Sequence, residues 1–232
     1  MTRRLFAIVA CLIALCMPIS AQTYQVRFTT DKGTFTVVLY NDTPIHRDNF
    51  LRLVRTGYYD GILFHRVIKN FMIQTGDSTS RHASPYDLLG ETDVPYTLPA
   101  EIVYPLHYHH RGALAAAREG DDINPERRSS GAQFYIVTGQ RIPPSRMTDY
   151  RAYVSRMTGG QVHIPRAQAD DYAERGGAPH LDGQYTVFGE VLEGMDIVEA
   201  ISLVPTDRND RPLENLRIIK AEVISESLEE RV

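Results

Sequence analysis

Tryptophan is absent from the 232 residues, and cysteine occurs only at Cys11 and Cys16. From Gln22 onward the chain can therefore form no disulfide and offers no thiol to an oxidising compartment. Lysine and arginine number 25 against 29 aspartates and glutamates, and they form no block. Such a chain has no basic field to gather nucleic acid. Neither G-x-S-x-G nor H-E-x-x-H occurs, so hydrolase readings lack an anchor. Nothing repeats at a fixed period, which argues against a solenoid or propeller. The length suits one good-sized domain and is short for two.

The longest apolar run comes first. Arg3 and Arg4 precede Leu5 to Met17, Pro18 breaks the run, and Ser20-Ala21 forms a small-residue cleavage site before Gln22. This is the layout of a signal peptide over residues 1–21. As a helix the run reaches about 20 Å, short of the ~30 Å hydrocarbon core. The expectation is cleavage and export, to the periplasm or outside the cell, with no stable membrane span afterwards. Ile8-Val9-Ala10-Cys11 also spells a lipoprotein cleavage box, although only a short apolar stretch precedes it. Loss of Arg3 and Arg4 would leave 23 basic against 29 acidic residues, hence a net charge of −6.

Beyond Gln22, alternation dominates. Gln25 to Thr30 and Thr34 to Tyr40 flank the turn Asp31-Lys32-Gly33, a hairpin signature. Thr43-Pro44 predicts a helix with a hydroxyl N-cap; Phe50, Leu51 and Val54 form its apolar stripe, and Gly57 stops it. Short apolar runs follow at Ile62–Ile68, Phe71–Ile73, Gly112–Ala116, Phe134–Val137 and Thr186–Val191. A second helix is expected over Glu193–Leu203 and a last strand over Leu216–Ile224. Many short strands with two core helices favour an antiparallel barrel or sandwich. Arg141 to Pro179 stands apart. Tyr150, Tyr153, Val154 and Met157 predict one helical face, and Arg166 to Arg175 a further short helix. We read residues 141–179 as a helical insertion between strands, too small for a core of its own. Along the strand after Gly131, Gln133 and Tyr135 are expected on one face and Phe134 and Ile136 on the other; Phe64 and Arg66 are likewise expected to share a face. His65 reads as a packed, hydrogen-bonded histidine. His107, His109 and His110 resemble a metal cluster, but neighbours on a strand point apart and no cysteine joins them. Neither metal nor cofactor is expected.

Three separated stretches carry a resemblance: FHRVIKNFMIQTGD at Phe64–Asp77, GALAAAR at Gly112–Arg118 with SSGAQFYIV at Ser129–Val137, and HLDGQYTVFGEV at His180–Val191. In this order and spacing they resemble the cyclophilin family of peptidyl-prolyl cis-trans isomerases, over most of residues 24–225. The resemblance implies a mainly β fold, a closed eight-stranded antiparallel barrel capped by two helices. It also implies a catalytic role for Arg66 and Gln74, with a substrate pocket of Phe71, Met72, Ala117, Gln133, Tyr135, His180, Leu181 and Tyr185. The implied substrates are proline-containing unfolded or exported polypeptides, handled by a monomer as a folding helper. A binding or chaperone module with little turnover is the alternative.

The departures from the family pattern are specific. His180 stands where the family usually has tryptophan, which should weaken contacts to the cyclic undecapeptide inhibitor after which the family is named. Tyr135 replaces the usual phenylalanine and is expected to add a hydroxyl to the proline socket. Residues 78–95 lack the usual glycine-rich gate loop.

Overall fold

The computed structural model describes residues 23–85 and 87–225; the signal-peptide and lipoprotein readings fall outside them. The opening hairpin forms as its alternation dictates, with β1 at Tyr24–Thr30 and β2 at Gly33–Leu39. Val26, Phe28 and Thr30 turn inward while Arg27 faces solvent. The turn is locked by Thr30, whose hydroxyl donates to the Gly33 carbonyl (2.8 Å) and accepts from the Lys32 amide (3.2 Å).

Helix α1 (Pro44–Arg55) buries Phe50, Leu51, Leu53 and Val54. Its N-terminus is satisfied differently from the sequence expectation. The Thr43 hydroxyl makes no cap bond to the helix and instead faces the Tyr40 carbonyl. Glu101, distant in sequence, accepts from the amides of Ile45 (3.1 Å) and His46 (2.9 Å). A carboxylate there satisfies two orphan donors and complements the helix dipole, a contribution of about 1 kcal/mol.

The remaining elements are β3 (Arg66–Ile68), β4 (Met72–Thr75), β5 (Thr97–Leu98), β6 (Ala113–Ala116), β7 (Ser129–Ser130), β8 (Phe134–Val137), α2 (Pro144–Met157), α3 (Arg166–Glu174), β9 (Val187–Glu193), α4 (Met195–Ser202) and β10 (Ile218–Ser225). Eight strands form one curled antiparallel sheet in the order β10-β1-β2-β9-β6-β8-β4-β3, and β5 pairs with β7 apart from it. The two ends of the large sheet approach through residues before its edge strands: Leu63 bridges Arg217, and the Phe64 amide donates to the Leu216 carbonyl (2.9 Å). The concave face holds an aromatic centre. Phe50 lies 5.2 Å from Phe134 and 5.3 Å from both Tyr59 and Phe188, and Phe28 stacks on Phe35 at 5.0 Å. Each such ring contributes about 2–3 kcal/mol through burial. Val198 and Ile201 of α4 enter the same core.

Two local expectations fail. β3 begins only at Arg66, so Phe64 precedes the pleat; it packs in the core while Arg66 is exposed. His65 is buried as expected, but neither ring nitrogen has a hydrogen-bond partner among the described residues. Burial, with a smaller push from Arg66 and an opposing pull from Asp77, drives its pKa down to about 4. Unfolded, the imidazole protonates near its ordinary 6.5, so between pH 6.5 and 4 the unfolded chain binds the extra proton. Stability present above that window is therefore lost as pH falls through it, by up to about 3 kcal/mol from this residue. Urea titrations across the window should show a smaller fall for His65→Gln than for wild type, whatever the variant's stability at neutral pH. Equal slopes would remove His65 as a cause.

The helical segment of residues 141–179 leaves β8 and returns to the same place. Gly139 and Gly177 are in backbone contact: a Cβ on Gly139 would sit 2.1 Å from the Gly177 carbonyl oxygen. The Ala178 amide donates to the His109 carbonyl at 2.8 Å, fixing the return. Between these points Ile142, Met147, Val154, Ile164 and Tyr172 pack together. Of the face expected on α2, only Val154 is fully buried. Tyr153 is 37% and Met157 40% exposed. Helix α2 is rotated so that Met147 and Val154, seven residues apart, are its buried side chains and join the cluster that holds Tyr172 of α3.

Candidate active site

The strand register sets out two rows of side chains. On the core side Val67, Ile73, Ile136 and Leu114 face one another across β3, β4, β8 and β6; on the opposite side stand Arg66, Gln74, Tyr135 and Ala115. Paired residues share a face, so one sheet both closes the core and presents an arginine, an amide and an aromatic ring outward. The β3–β4 turn, with Asn70 at φ 61, brings Phe71 and Met72 beside this outer row.

These residues enclose a cleft of about 160 Å3. Arg66 and Gln74 stand on its polar side, and Phe71, Met72, Tyr135 and Leu181 form an apolar wall. Ala117, Arg118 and Tyr185 complete it. Arg66 is half-exposed, and its Nε lies 3.5 Å from Asp210 Oδ2. Asp210 is itself fixed, since its carbonyl accepts from the Val67 amide at 2.7 Å. Asp210 is the ion-pair partner of the Arg66 guanidinium, and the rest of the fork reaches the cleft it lines.

Gln133 and His180 stand outside the cleft. Gln133 lines an adjoining hollow of about 620 Å3 that shares Gln74, Ala117 and Arg118 with it. Its side-chain nitrogen donates to the carbonyls of Gly90 (2.9 Å) and Thr92 (3.1 Å), and its oxygen accepts from Gln74 (3.1 Å). It braces Gln74 against the loop of residues 78–95. That loop, without the glycine-rich gate, is tied down by two aspartates. Asp77 accepts from the Gly90 amide at 2.7 Å, and Asp93 accepts from the amides of Gly131 and Ala132, both at 3.0 Å. His180 lies beside the wall, its ring tilted by 38° and centred 5.2 Å from that of Phe71.

The Tyr135 hydroxyl is not in the socket. It lies 3.0 Å from His109 Nε2, and His109 Nδ1 is 3.1 Å from Asp182 Oδ1. With Nδ1–H facing the carboxylate, Nε2 accepts from the tyrosine. Asp182 also accepts from the His109 amide (2.9 Å) and, through Oδ2, from the Tyr172 hydroxyl of α3 (2.7 Å). The ring of Tyr135 lines the cleft while its polar end joins a buried chain. Burial pushes both tyrosine pKa values well up, so both remain donors.

The three histidines separate. His107 stacks on Tyr40 (4.0 Å), His109 joins Asp182, and His110 Nδ1 faces the Arg111 carbonyl (2.9 Å). Among the described residues no group of three His, Cys, Asp or Glu side chains is placed to hold a metal.

Residues 25–223 match the family model described as cyclophilin type peptidyl-prolyl cis-trans isomerase/CLD. The chain belongs to this family. The peptidyl-prolyl cis-trans isomerase-like 1 of Emericella nidulans is 32% identical over 207 residues, covering 89% of this chain and 98% of the relative. A Streptococcus pyogenes protein whose name joins phosphatase and peptidyl-prolyl cis-trans isomerase is 37% identical over 202 residues. The chain spans 38% of that relative's length, and the match covers 86% of the chain. A solved Cryptosporidium parvum cyclophilin type isomerase shares the fold, with a TM-score of 0.62 at 24% identity over 88% of this chain and 98% of its own. The same parasite protein has been solved in the presence of the dipeptide Ala-Pro. The chain is thus a cyclophilin-type peptidyl-prolyl isomerase with a mainly β fold.

Sequence reasoning about this isomerase missed Arg118 and Asp210. Arg118 ends the quoted GALAAAR stretch, and its guanidinium lies 4.4 Å from the Tyr185 ring centre while its Nε donates to the Gln184 carbonyl (2.9 Å). A position directly after Ala117 was the available signal. Asp210 had none, being 144 residues from its partner in a loop of ordinary composition.

Proposed function

We propose that this isomerase accelerates rotation about X-Pro bonds in exported polypeptides, with Arg66 as its catalytic group. The observation that carries the reading is a half-exposed guanidinium beside an apolar notch sized for a small ring. An X-Pro bond resists rotation because resonance gives C–N partial double-bond character, with a barrier of about 18–20 kcal/mol. Uncatalysed exchange takes about tens to hundreds of seconds. No bond breaks, so no nucleophile or metal is needed.

As the bond twists, the nitrogen lone pair localises and becomes an acceptor. A guanidinium hydrogen bond to it is stronger in the twisted state than in either planar one, and only such differential binding accelerates rotation. Phe71, Met72, Tyr135 and Leu181 hold the proline ring, while Gln74, braced by Gln133, holds the flanking carbonyl. Ala117 and Tyr185 bound the opposite wall, and His180 supports Phe71. Asp210 keeps Nε occupied and orients the fork. Fixing one side of the bond leaves the other free to turn. The Ala-Pro dipeptide used with the parasite relative has the chemistry this notch would take. The Arg66–Gln74 pairing favours turnover over a merely binding module, since gripping the ring alone would need only the wall.

Export rests on the charged start, short apolar run and small-residue site at residues 1–21. Purified protein should speed isomerisation in a protease-coupled proline-peptide assay, and mass spectrometry of protein recovered from cells should find a chain beginning at Gln22. A rate equal to the uncatalysed one would defeat the isomerase reading. An intact Met1 would defeat export by cleavage, and a lipidated Cys11 would replace it with anchoring.

A further inference from the structure

Tyr150, Tyr153 and Arg156 succeed one another down α2, and Arg146 and Asp149 extend the same exposed side. Together with His180 they wall an open groove of about 550 Å3. His180 joins groove to cleft: its ring is 5.2 Å from Phe71 and 6.5 Å from Tyr150. An aromatic shelf therefore runs from the proline notch onto the insertion.

The charge on this shelf is uneven. Arg146 lies 3.6 Å from Asp149, an exposed pair. Arg156 has no carboxylate partner among the described residues, and its guanidinium sits 5.6 Å from the Tyr153 ring centre. The far end of the groove is thus a local cation on a chain of net charge −4.

We propose that this groove is a second subsite for the substrate chain, selecting an acidic side chain distant from the proline. The inference rests on the cleft being the proline site. The polypeptide leaves the notch over His180, lies along Tyr150 and Tyr153, and sets its carboxylate against Arg156. Two ring-to-ring steps and two turns of α2 correspond to about six extended residues. Continuity with the notch is what favours the substrate's own flank over an unrelated partner.

The test compares three proline peptides of equal length. One is neutral, and the others carry a Glu-Glu pair about five and six residues before or after the proline. Purified protein should turn over one acidic peptide about three- to fivefold better than the neutral one at low salt. That advantage should vanish at high salt and in Arg156→Glu, whose rate on the neutral peptide stays at the wild-type value. Three equal rates, or an advantage that survives Arg156→Glu, would overturn the subsite. An acidic peptide without proline binding as tightly as its proline twin would also overturn it, assigning the groove to a separate partner. Failure of the groove alone leaves Arg66→Ala still slowing all three peptides. If wild type turns over none of them, the cleft reading fails; titration of labelled acidic and neutral peptides then decides the groove by the same margin.

Discussion

Arg66→Ala is expected to lower kcat/KM for a proline peptide by about a hundredfold or more while leaving the fold intact. A charged hydrogen bond aimed at a group that becomes an acceptor only in the transition state is worth about 3–4 kcal/mol in a partly desolvated site. At 1.4 kcal/mol per tenfold, this corresponds to about two to three orders of magnitude. The structural cost is small because Arg66 lies on the edge strand β3, and its pair with Asp210 is 45% and 41% exposed. Pairs so exposed contribute less than about 1 kcal/mol, so the melting midpoint should move by less than about 3 °C. Arg66→Lys keeps the charge but loses the planar fork held by Asp210, and its rate should fall between the two. Wild-type rates in Arg66→Ala would remove the proposed role.

The second large effect concerns stability. Asp182→Ala should destabilise the protein by about 3–5 kcal/mol, read as a lower denaturant midpoint at unchanged slope. The Asp182 side chain has no exposure, and it accepts from the His109 amide, the His109 ring and the Tyr172 hydroxyl. Truncation strands these donors in a region that water does not reach, and an unsatisfied buried donor costs about 1–3 kcal/mol. Asp182→Asn preserves one acceptor and reverses another, so a smaller loss is expected. Because His109 also holds the Tyr135 hydroxyl, the surviving folded Asp182→Ala should show a raised KM with a smaller change in kcat. An unfolding free energy within about 1 kcal/mol of wild type would mean that the chain of bonds contributes little.

What could be read from the sequence follows from the range of each interaction. The hairpin, the Phe50 stripe and the opposite faces of Gln133–Ile136 are properties of neighbours, and periodicity carries them. The outer row of Arg66, Gln74 and Tyr135 became legible through three stretches that resemble a family, since no local pattern places β3 beside β4 and β8. The corrections are of the other kind. Thr43 had the right chemistry for a cap, yet Glu101 took the role from 56 residues away. His65 was expected to find a partner because buried imidazoles usually do, and only the packed structure denies it one. Tyr135 is expected to crowd the socket if its hydroxyl follows the ring's face; His109 and Asp182, remote in sequence, draw the hydroxyl away instead. Apolar spacing placed α2 and α3 correctly but not the rotation of α2, which depends on where Tyr172 arrives.

The doorway formed by Gly139 and Gly177 has a consequence for how such a chain can lengthen. A detour whose two ends already touch asks nothing of the sheet it departs from. Its closure entropy grows only logarithmically, by about 0.6 kcal/mol for each doubling of length. Segments of very different size could hang from this one portal without shifting β8 or the turn that carries Leu181. The wall of the cleft and whatever the detour offers to a passing polypeptide therefore have room to change separately, coupled through His180 and the hidden Tyr172–Asp182 contact.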